Sequence, residues 1–126
     1  MNGLLLAAGV TAAGVAAVHL VAGHVDPVRP LLASPLAQVP KRTLHAVWHM
    51  VSADLILAAI TLVHLALARP QGARLAGLLL AVHFAAYSAV FLVIAMVTFG
   101  GAWRLLRLPQ WLLLLPVAVL TWLGSM

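Results

Sequence analysis

Apolar residues in this chain run together rather than alternate with polar ones. Four stretches, residues 3–22, 43–68, 75–99 and 105–123, each come close to or exceed the ~20 apolar residues that a helix needs to cross a bilayer. The first and third contain no formal charge, and the second contains one, Asp54. The start of the fourth falls at Leu105 or Leu108, because Arg107 and Pro109 crowd it. Pro116 lies inside that stretch, where a membrane helix tolerates proline as a kink. No polar stripe divides the helices, as is usual for segments apolar all round. Their packing faces are instead marked by small residues at every fourth position: Ala8, Ala12 and Ala16 in one row, Gly9, Ala13 and Ala17 in another. Such rows let helix backbones approach closely.

Composition agrees with this pattern. The chain is 65% hydrophobic and 7% charged, with seven Lys and Arg, two Asp, no Glu, six His and no Cys among 126 residues. A soluble domain carries roughly a quarter charged residues, so a soluble globular protein is excluded. The lack of cysteine excludes disulfides, iron–sulfur clusters and thiolate zinc sites. The expected fold is therefore all-α: one domain over residues 1–126, a polytopic antiparallel bundle of four transmembrane helices. The first stretch is expected to be a span and not a cleaved signal, since no positive residue precedes Leu4.

The few charges set an orientation. Arg29, Lys41, Arg42, Arg104 and Arg107 fall in the loops on one side, and Arg69 and Arg74 on the side of the termini. The positive-inside rule then puts the longer loops in the cytoplasm of a bacterial inner membrane and both termini in the periplasm. The basic balance serves topology and lipid contact. Nucleic acid is not an expected partner, because no soluble basic surface exists to hold it. Trp103, Trp111 and Trp122 bracket the fourth span as interfacial anchors, and Trp48 has a similar position near the start of the second. The connection over residues 24–42 holds Pro27, Pro30, Pro35 and Pro40 around an apolar middle. It reads as a functional loop or a flap lying on the bundle or the membrane surface.

Polar groups inside a bilayer are costly, so the histidines and the buried acid are the candidates for chemistry. At about 1.5 Å of rise per residue, His19 and His49 share a depth near the cytoplasmic side, with His45 one turn further out and His24 just beyond Gly23. His45 and His49 are spaced i,i+4 on one helix face, with Ser52 on the same face. Two helical histidines so spaced can share a metal ion. His19, His24, His45 and His49 thus form a candidate all-imidazole site for zinc, iron or copper. The intervening Ala46, Val47 and Trp48 supply no general base, so a metalloprotease is not supported. The plainer alternative has these rings snorkelling or hydrogen-bonding to backbone.

The second candidate is Asp54, within about one turn of the midplane. Its helix face also carries Thr61, and the third span brings His83 and Tyr87, again i,i+4, to a similar depth. An Asp54–His83 contact would satisfy the acid and make a proton-linked site; its plainer alternative is a structural bond that fixes helix register. His64 is about 22 Å from His49 along the helix, too far to share one metal. The histidines do not form the stacked pairs that two haems need, but one haem between His83 and another span is compatible with them.

The combination of His19 and His24, Pro30-Leu31-Leu32, Arg42 and Trp48-His49 resembles a set of small bacterial four-helix inner-membrane proteins of unassigned function. The resemblance implies that His19, Arg42 and His49 form a unit, and it implies no activity. The chain also resembles small multidrug transporters in size. Those carry an essential Glu in the first helix, where this chain has no acid. Three functions remain open: a metal- or haem-binding membrane protein, a proton-coupled transporter or channel-like protein using Asp54 and His83, and an accessory subunit of a homo-oligomer or larger membrane complex. No nucleophile–base pair, phosphate loop or paired carboxylate specifies an enzymatic reaction.

Overall fold

A computed structural model describes residues 1–126. The chain is all-helical: α1 (Gly3–Gly23), a π-helical turn (His24–Val28), α2 (Arg29–Ala33), α3 (Gln38–Ala68), α4 (Ala73–Thr98), a 3-10 turn (Arg104–Leu106) and α5 (Gln110–Ser125). Helices α1 and α2 join through the π turn into one rod of 31 residues; with α3 (31 residues) and α4 (26 residues) this gives three helices long and apolar enough to cross a membrane. The fourth, α5, is apolar but has only 16 residues, about 24 Å of helix.

The helices run up, down, up and down. The start of α1, the end of α3, the start of α4 and the end of α5 meet at one end of the bundle. There Asn2 caps α1 by accepting from Leu5 N–H at its side-chain oxygen, donates its backbone N–H to Ala66 O, and donates its side-chain amide to Gly124 O at 2.7 Å. Around the bundle the order is α3, α1, α5, α4, with extensive packing between each successive pair. The ring closes poorly, because α3 and α4 hardly touch although a four-residue turn joins them.

Small residues explain this asymmetry. A Cβ on Gly9 of α1 would lie 2.7 Å from Val63 Cγ2 and 3.0 Å from Val63 N, so α1 and α3 approach almost to backbone contact. Gly77 of α4 fits against Ser125 of α5, and Gly124 of α5 against Leu5 of α1. The α3–α4 seam has leucines instead, Leu57, Leu79 and Leu80, which hold the backbones apart around an open cleft. Of the two small-residue rows in α1, Ala8, Ala12 and Ala16 are buried, whereas Ala13 and Ala17 are exposed and only Gly9 of the second row packs. The core centres on Phe84, Leu62 and Val117. Only 24 of 126 residues are buried, and the outer surface is largely Leu, Val and Ile, a surface unsuited to water.

Two boundaries differ from those read in the sequence. The Pro-rich segment 24–42 is mostly helix, and the connection between α2 and α3 shrinks to residues 34–37. Its prolines sit where no N–H is needed. Pro30 is in the first turn of α2 and Pro40 in the first turn of α3. Pro27 lies in the π turn, whose wider ring is closed by Arg29 N–H donating to His24 O. This turn directs Val28 inward, where it is 1% exposed. The last helix begins at Gln110 and not at 105 or 108, because Pro109 disfavours helix at the preceding residue and caps α5 itself.

Candidate functional site

The polar residues gather in two places. The first is the end of the bundle where α1 leaves and α3 enters. The carbonyl of Trp48 accepts from Ser52 Oγ–H at 2.9 Å. The Ser52 oxygen is then left to accept from His19 Nε2, 3.1 Å away, and the same nitrogen lies 3.4 Å from Trp48 O. This network assigns the proton to His19 Nε2. The His19 ring stacks on Trp48 with centroids 5.0 Å apart and planes at 20°. His24, His45 and His49 surround the same indole at centroid distances of 6.4, 6.5 and 4.9 Å. Gly23 permits this cluster, since a Cβ there would lie 3.2 Å from Trp48 Nε1.

The four histidines expected to surround a metal therefore surround a tryptophan. His45 and His49 do face each other, with centroids 4.6 Å apart. His19 instead directs its Nε2 at Ser52 and Trp48 O, and no three His, Asp or Glu side chains converge as a metal-holding group. Trp48, read as an interfacial anchor, is the hub of this cluster. Arg42 is exposed and makes no ion pair.

The second place is the α3–α4 seam. His83 Nε2 lies 3.0 Å from Asp54 Oδ2, the single ion pair of the protein. Their side chains are 31% and 37% exposed. Tyr87, one turn along α4, lays its ring against His83 with centroids 4.3 Å apart and is close enough to Asp54 to interact with its charge. Phe84, on the buried side of α4, meets the His83 ring edge-on at 5.6 Å. The buried face of α4 thus fixes Phe84, and the adjoining helix positions direct His83 and Tyr87 into the seam. Thr61 also lines the cleft, but its hydroxyl donates back to Leu57 O at 2.8 Å, which leaves only its oxygen for a ligand. The cleft has a volume of about 300 Å³, with Asp54, Thr61 and His83 as its polar groups and Leu57, Ala58, Leu79 and Leu80 as its walls.

The structure thus brings Asp54, Thr61, His83 and Tyr87 together, as the depth arithmetic suggested. Ser88, the next polar residue of α4, is buried and donates to Trp111 O at 3.2 Å, a bond that ties α4 to α5. His64 is exposed on α3. The leucine walls of the cleft were not read as site residues, since nothing in an all-round apolar helix distinguishes a seam leucine from a lipid-facing one.

The chain matches no family model, no curated protein and no solved structure. The site must therefore be interpreted from its own geometry.

Proposed function

We propose that this chain is a polytopic membrane protein that exchanges a proton between Asp54 and His83 within the α3–α4 cleft, as a small proton-coupled transporter or channel-like protein. The observation that carries this reading is the 3.0 Å His83–Asp54 contact beside an open cleft. Asp54 lies about 22 Å along α3 from Arg69, and His83 about 14 Å along α4 from Arg74. With those arginines at an interface, the pair falls inside a hydrocarbon core ~30 Å thick. Ionisable residues within a membrane are rare and costly, and pairs of them commonly mark proton or ion paths. The pair needs no cofactor to work. A proton taken up from the cleft makes His83 an imidazolium stabilised by ionised Asp54, with Nε2–H directed at Oδ2; transfer of that proton to Oδ2 leaves a neutral imidazole and a protonated Asp54, which releases it to water or a bound group.

In this reading the bundle lies in a bacterial inner membrane, with the α1–α3 and α4–α5 connections cytoplasmic and both termini periplasmic, as the distribution of Lys and Arg favours. The lipid bilayer is its first partner, and a homo-oligomer or larger complex would cover the half-open seam.

Purified protein in liposomes with an internal pH dye and an imposed potassium diffusion potential tests the proposal. The native chain is expected to carry protons above the protein-free rate, Asp54→Asn to abolish that flux, and His19→Ala to retain it. Equal flux through the native chain and a folded Asp54→Asn variant would contradict it.

A second reading places a transition-metal ion, zinc, iron or copper, or one haem at the histidine cluster. The facing His45 and His49 rings, 4.6 Å apart, favour it, with His24 against the same indole. Its ligand set lacks His19, which is held by Ser52. Metal analysis and a visible spectrum of the detergent-purified protein separate it from the first reading.

A further inference from the structure

At the opposite end of the bundle from the histidines, a second cleft of about 290 Å³ opens where α1 begins, α3 ends, α4 begins and α5 ends. Arg69 and Arg74, both exposed, line it together with Met126, and no acidic side chain does. Neither arginine has a carboxylate within ion-pair distance, since the only ion pair in the protein is Asp54–His83. The only other acidic side chain, Asp26, is in the π turn at the far end. Two cations at the mouth of one cleft, neither paired with a carboxylate, make it attractive to an anion.

The backbone at this place is also unusual. Arg69 adopts a left-handed conformation, φ 48° and ψ 51°, and is the only non-glycine residue with positive φ. Glycine or asparagine normally fills this position after a helix, because a side chain there costs energy. Here the position holds a guanidinium, beside the start of α4. Asn2 forms one wall and is rigid, since its side chain is used by Leu5 N–H and Gly124 O. The floor is apolar, formed by Leu5 and Leu65, which are 3% and 5% exposed. Paired guanidiniums select a phosphate by forked hydrogen bonds. An apolar floor next to them suits an anion that carries a hydrocarbon part.

We propose that the Arg69–Arg74 cleft binds the phosphodiester headgroup of an anionic membrane lipid, with the phosphate at the arginines and the adjoining hydrocarbon part of the lipid against Leu5 and Leu65. The shared chemistry is a phosphate, and the apolar floor assigns it to a lipid rather than to the free ion. This inference does not depend on proton exchange at Asp54.

Native mass spectrometry of the detergent-purified protein, titrated with phosphatidylglycerol, phosphatidylcholine or inorganic phosphate, tests it. The native chain is expected to hold one phosphatidylglycerol more tightly than phosphatidylcholine. Arg69→Gln and Arg74→Gln should each weaken it by about tenfold or more, the loss expected for one charge-assisted contact. Arg74→Lys keeps the charge without the fork and should fall between. Thermal unfolding of each variant establishes that it is folded, and Arg107→Gln, at the other end of the bundle, should bind as the native chain does. Equal binding by a folded Arg69→Gln/Arg74→Gln double variant, or equal loss in Arg107→Gln, would overturn the site. Inorganic phosphate binding as tightly as the lipid would overturn the assignment to a lipid.

Discussion

A histidine in an apolar helix is decided by its nearest acceptor. His19 and His83 are both half-buried imidazoles on long helices, yet they have different partners. His83 faces a carboxylate across an open seam, while His19 faces a serine hydroxyl and a carbonyl in a packed corner. Only the first arrangement has a partner whose own charge state can change. The Asp54–His83 pair was legible in the sequence, because an acid near the midplane needs a partner and α4 offers one histidine at that depth. The partner of His19 was not legible. Ser52 shares a helix face with His45 and His49, but its contact with α1 depends on an interhelical register that no local pattern encodes. A double-mutant cycle with His19→Phe and Ser52→Ala, followed by unfolding in detergent, should give a coupling of about 0.6 kcal/mol, typical of interhelical hydrogen bonds in membranes. A coupling near zero would mean that His19 is free to serve as a ligand.

Among the helices, the apolar runs gave the four segments to within a few residues at most ends, because a length of uninterrupted hydrophobicity is a strong signal. The prolines gave the wrong boundary at residues 24–42. Proline breaks a helix interior but is accommodated in a first turn, and a π turn absorbed the one that was not so placed. Periodicity does not report which of these applies. The glycines of α1 make the packing testable. Gly14 meets no atom within 4 Å of a Cβ, whereas Gly9 lies against Val63. Gly14→Ala should therefore leave stability unchanged or raise it by up to about 1 kcal/mol. Gly9→Val should lower it by about 1–3 kcal/mol, since α1 and α3 would have to separate. Equal effects at the two positions, measured by thermal unfolding in detergent, would mean that α1 and α3 are not in close contact.

At the scale of the whole molecule, the uneven ring of helices connects packing to chemistry. Small residues draw α1 against α3 and α5, and α5 against α4, and leave a leucine-walled seam in which the ion pair is the main polar contact. The small-residue rows marked candidate packing faces, but which of them packs, and against which helix, could not be anticipated, because every helix face is apolar and ångström-scale fit makes the choice.

The chain has only two carboxylate side chains, Asp26 and Asp54, so one chemical measurement addresses the central proposal directly. A hydrophobic carbodiimide reaches a carboxyl group from the lipid and requires it to take up a proton, whereas a water-soluble carbodiimide reaches only aqueous carboxyls. Protein in lipid vesicles, treated with each reagent and read by peptide mass spectrometry, should show the hydrophobic reagent on Asp54 and the water-soluble one on Asp26. Asp54 left unmodified by the hydrophobic reagent across the pH range, or modified equally by both, would contradict a protonatable acid held within the membrane.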